Sequence, residues 1–85
     1  MEKEYDPDAA RLIARAEEAH GLLISPVFND AMTSARDVFV AEWEEATTVA
    51  DREAAHGKVA GLREVRAQLT RTIRQGEYAL LTDKQ

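Results

Sequence analysis

The residues able to do chemistry in this chain are few and scattered. A nucleophile needs an activating base and a third group to orient that base. There is no cysteine, and neither Ser25, Ser34, the threonines nor the two tyrosines sit in a recognisable catalytic motif. His20 and His56 stand far apart. His20 precedes Gly21 where a helix is expected to end, a place where an imidazole suits the negative end of the dipole. Glu53 and His56 have the Glu-x-x-His spacing of a carboxylate-bridged metal site, but such a site uses matching carboxylates from other helices, and one copy on one helix does not supply them. The sequence therefore predicts no catalytic residue, no metal site, no cofactor and no enzyme.

Charge is the remaining handle. Residues 1–57 carry 13 acids against 5 bases, and residues 58–85 carry 6 bases against 3 acids, for a net charge of -5. Two groups follow from this division. The first is acidic: Glu42, Glu44, Glu45, Asp51 and Glu53 lie on both sides of an expected inter-helix turn. They read either as a solvated tip that maintains solubility or as a face offered to a basic partner. The second is basic: Arg63, Arg66, Arg71 and Arg74 follow Lys58 with Glu64 as the acid among them. They read either as salt-bridged and solvated residues, with Asp30 and Asp37 within reach, or as a site for a nucleic acid or an acidic protein surface. Nucleic acid is disfavoured, because phosphate binding needs a dominant positive field and no aromatic is interleaved with these arginines for base stacking.

The elements that must position these charges are helical. The chain is rich in Ala, Glu and Arg with 4 Gly and 2 Pro, the composition of helix formers. At 85 residues it is one domain with a thin core. Asp6-Pro7-Asp8 opens a first helix over 7–19, with Tyr5 placed to staple Ala10 and Gly21 as its stop. Leu22-Leu23-Ile24 is an apolar connector expected to drop into the core. Ser25-Pro26 repeats the cap-and-proline signal. Phe28, Met32, Ala35, Phe39, Trp43 and Ala46 then recur at helical spacing, predicting a helix over 26–46. Thr47-Thr48 breaks it, and the cap of the next helix is either Thr48, which with Asp51 has the form of a capping box, or Asp51 itself. Val59, Leu62, Val65, Leu69 and Ile73 mark a helix over 51–75 that stops at Gly76. Gly57 and Gly61 interrupt it, and close packing beneath Trp43 or Phe39 is the expected offset. Residues 1–5 are expected to be loose, and for the tail over 77–85, with Tyr78, Leu80 and Leu81, docking and flexibility are both open. The predicted architecture is all-α: an antiparallel helical hairpin with a third, shorter N-terminal helix packed across it. The two apolar stripes are wider than that short helix can cover, so a homo-oligomer is expected. No apolar run approaches the roughly 20 residues that span a bilayer, and the polar start is unlike a secretory signal. With no cysteine, a cytoplasmic setting is expected.

Leu23-x-x-Pro26-x-Phe28-x-x-Ala31, then Phe39-x-x-x-Trp43, Asp51-Arg52-Glu53, Leu62-x-x-Val65, Leu69 and Gly76 resemble small uncharacterised helical proteins of tailed bacteriophages and prophages. The likeness covers about residues 22–77. It differs at Gly57, Gly61 and the N-terminal helix. It implies a phage or host protein as partner, a place in the host cytoplasm or virion, and a role by binding: a small virion or assembly component. The acidic tip supports an alternative, an inhibitor of a host defence or nucleic-acid enzyme acting by charge mimicry.

Overall fold

The structure, a computed structural model, describes residues 7–83. Among these the chain forms three helices and no strand: α1 Pro7–Leu23, α2 Pro26–Glu45 and α3 Val49–Asp83. The expected Asp6 cap and Tyr5 staple lie outside the described residues.

α3 is the spine. Its 35 residues make a rod about 52 Å long at 1.5 Å per residue. Along it, Ala55, Val59, Leu62, Arg66, Leu69, Ile73, Gly76 and Leu80 recur at alternating spacings of four and three, and all eight are buried or half-buried. That repeat keeps one seam facing a neighbouring helix along its whole length. Two helices share the seam in succession. α2 runs antiparallel to the first half: Glu42 meets Lys58 and Asn29 meets Arg66. α1 lies alongside the second half, where Gly76 packs on Leu12, Ile13 and Ala16. It does not lie across a hairpin, and it touches α2 little.

The result is one helix thick. The molecule measures 66 × 24 × 15 Å, with a radius of gyration of 18.2 Å, where a compact domain of this length would have about 12 Å. A single layer buries little. Among the described residues only Ala19, Ala55, Gly76 and Ala79 are buried. Bulky side chains expected in the core stay at the surface: Trp43 is 49% exposed and Val65 44%. Val65 falls one position off the seam, and Arg66 takes the place expected for it.

Local signals explain the breaks. Pro26 has no N–H to give and its ring would strike the preceding turn, so a continuous helix stops there. Ser25 is extended, at φ -71 and ψ 123, and its hydroxyl accepts from the Phe28 N–H at 3.3 Å. Thr48 Oγ1 accepts from the Asp51 N–H at 3.1 Å, the first of the two predicted caps, and α3 begins at Val49. Gly21 does not end α1. Its φ is not positive, and the helix runs on to Leu23, leaving Leu22 and Ile24 exposed and out of any core.

Gly76 likewise does not end α3, and residues 77–83, left open by the sequence, are helical. A β-carbon at Gly76 would overlap that of Ala16 and lie 2.9 Å from the Leu12 carbonyl oxygen. Glycine is there because α1 approaches the spine so closely. Gly57 and Gly61 reverse expectation in the other direction: neither Trp43 nor Phe39 covers them, and an added β-carbon would meet nothing within 4 Å. Gly76→Ala should destabilise the chain by about 1–3 kcal/mol through overpacking. Gly57→Ala and Gly61→Ala should each stabilise it by about 0.5–1 kcal/mol. Urea titrations followed by far-ultraviolet circular dichroism separate the two signs.

Candidate interaction surface

The acidic residues do not act as one group. Glu42, Glu45 and Asp51 line a shallow recess at the α2–α3 turn, together with Lys58. Lys58 Nζ sits 2.9 Å from Glu42 Oε2 and 5.5 Å from the centre of the Phe39 ring. Glu42 is therefore already partnered. Glu44 and Glu53 are exposed and do not line that recess.

The basic residues also divide. Arg66 is half-buried in the seam. Its Nη1 donates to Asn29 Oδ1 at 3.0 Å, and its guanidinium stands 5.8 Å from the Phe28 ring centre, within cation–π range. Arg71 turns to Glu64 on its own helix. Neither Asp30 nor Asp37, both exposed, forms an ion pair with these arginines among the described residues, and Asn29 receives Arg66. Arg63 is exposed and lines two contiguous recesses along the α2–α3 seam. Arg74 is exposed outside both of them.

Those two recesses form one groove. Its apolar floor is Met32, Val40, Trp43, Val59 and Leu62, and Arg36, Arg63, Arg66 and His56 stand around it. No acid lines it. A second groove opens beside α1, over Ile13, Ala16, Ile73 and Leu80, and is edged by Glu17, Glu77 and His20. No arginine or lysine lines that one. In an antiparallel pair, side chains advancing in the same rotational sense from the seam emerge on the same face. Val40 and Arg63 do so at the first groove, and Ile13, Glu17 and Glu77 at the second. The two grooves therefore open on one face of the layer, one rimmed with positive charge and the other with negative.

Asn29 is the residue whose role sequence reading missed. Its Nδ2 donates to the carbonyls of Leu23 and Ser25, both at 2.9 Å, while Oδ1 accepts from Arg66. One amide closes the end of α1, the start of α2 and the middle of α3. The sequence signal was present: an Asn four residues after the Ser-Pro cap, opposite an arginine at a seam position.

Glu53 and His56 have no companions for metal binding: among the described residues no group of three potential ligands converges. No described helix is long and apolar enough to cross a membrane. Comparison of the chain with family models, curated proteins and solved structures gives no match.

Asn29→Ala should destabilise the chain by about 1–3 kcal/mol, since it strands the Leu23 carbonyl and a half-buried guanidinium, while the Ser25 carbonyl keeps the backbone N–H of residue 29. Glu42→Gln should cost less than about 1 kcal/mol, and the loss should vanish in high salt, because both members of that pair are about half exposed. Chemical denaturation at low and high ionic strength checks both.

Proposed function

We propose that the chain is a non-enzymatic protein–protein interaction module that works as an oligomer of itself. Its unit in this reading is the antiparallel hairpin of α2 and α3, with α1 as the third, shorter helix. One observation carries the reading: the chain exposes 6558 Å², where a compact monomer of 9.5 kDa would expose about 5,000 Å². The excess, roughly 1,500 Å², is about twice what one partner contributes to a standard interface. It includes Trp43, Val27 and Val38, apolar groups that a single layer has no means to cover.

The setting comes from the resemblance to small tailed-phage and prophage proteins: a virion or assembly component that meets a phage or host protein, in the host cytoplasm or the particle. A second reading, inhibition of a host enzyme by charge mimicry, draws on Glu44, Glu45, Asp51 and Glu53, which are exposed and form no ion pair among the described residues. Under that reading Glu44→Lys with Glu45→Lys abolishes partner binding. Under the first reading these changes are tolerated.

Light scattering on the eluting protein at tens of micromolar should give a mass that is a multiple of 9.5 kDa. The mass of a single chain would refute self-association.

A further inference from the structure

We infer that the face holding both grooves is where two copies meet, antiparallel, about a two-fold axis at Thr70. The inference rests on the reading of the chain as a self-associating module and names its contact.

Arg63, Thr70 and Glu77 follow one another at spacings of seven, so they lie along one strip of α3, beside the seam. The strip is symmetric in position about Thr70 and opposite in charge at its ends. A two-fold contact is self-complementary: if residue i of one copy meets residue j of the other, j meets i. Laying a second α3 antiparallel over the first, with Thr70 on Thr70, sets Arg63 against Glu77 of the second copy, twice, and brings Arg74 opposite Arg66, whose guanidinium is already held by Asn29. The same rotation lays α2 of each copy over α1 of the other. The basic groove, with Arg36 and Arg63, then closes on the acidic one, with Glu17 and Glu77. The floors of both are apolar.

Other arrangements on this face are worse. A parallel contact would stack arginine on arginine and glutamate on glutamate, and like charges facing each other oppose association. The crossing point is small and quiet. Thr70 is half-buried and its hydroxyl is satisfied by the Arg66 carbonyl at 3.1 Å, so two α3 helices can approach there without stranding a polar group. The layer is 15 Å thick. Doubling it gives a bundle two helices deep, which supplies the second side that the single layer lacks.

Charge exchange tests this on the full chain by sedimentation equilibrium. Arg63→Glu and Glu77→Arg should each weaken self-association about tenfold. Both residues are exposed, so the fold should persist, and circular dichroism confirms it. The double exchange recreates the pair with its sign inverted and should restore association to within about threefold of the unaltered chain. Ser34→Arg, on the opposite face of α2, should leave it unchanged. A double exchange as weak as either single change overturns the inference, as does dissociation by Ser34→Arg, and in both cases self-association itself survives. An unaltered chain that stays single overturns both and leaves the grooves to the helix of another protein.

Discussion

The structure depends on one seam. α3 carries a four-three repeat of inward positions from Ala55 to Leu80, and everything else is arranged to cover it. No single helix of this chain is long enough to do so. α2 covers the first half and α1 the second, and the chain between them must break and resume without losing phase. The stripe of α1 ends at Leu23 and that of α2 begins at Phe28, five residues on. The extra residue is absorbed in the extended Ser25, where Pro26 forbids a continuous helix.

That break would leave carbonyls without donors in the middle of the molecule. Asn29 closes it, and Arg66 ties the closure to the spine. Placing a charged residue at a seam position sacrifices apolar contact there. In return it fixes the register, because the amide at the break and the guanidinium on α3 meet in one alignment only. Polar groups at a seam elsewhere serve the same purpose. Gly76 fixes the other half. It lets α1 approach until backbone meets backbone, and sliding α1 by a turn would place a larger side chain where only glycine fits.

One seam in one layer also determines what the protein offers to others. With its side chains an α-helix is 10–12 Å across, so a layer 15 Å deep has no interior beyond the contact line. Apolar groups on either side of that line remain at the surface, Trp43 among them. On the grooved face the charges divide by position, with Arg36, Arg63 and Arg66 at the α2 groove and Glu17 and Glu77 at the α1 groove.

Much of this was legible in the residues alone. The helical class, the Ser25-Pro26 cap, the Thr48 cap and the span of α2 follow from local chemistry, in which each signal acts within a turn or two of itself. Both helix ends placed at glycine were misread, because glycine stops a helix only when nothing is gained by continuing. At Gly76 continuing gains contact with α1, a term that local sequence does not contain; at Gly21 the helix simply runs on to Leu23, short of the Pro26 break. The exposure of Trp43 and the uncovered Gly57 and Gly61 were hidden for the same reason. A 3.6-residue stripe says which side of a helix is apolar, but how wide a neighbour covers it depends on how many layers the fold has. The sorting of Arg36, Arg63, Glu17 and Glu77 onto one face was likewise settled only by tertiary structure, since three helices had to be set in register before charges sixty residues apart became neighbours on a surface.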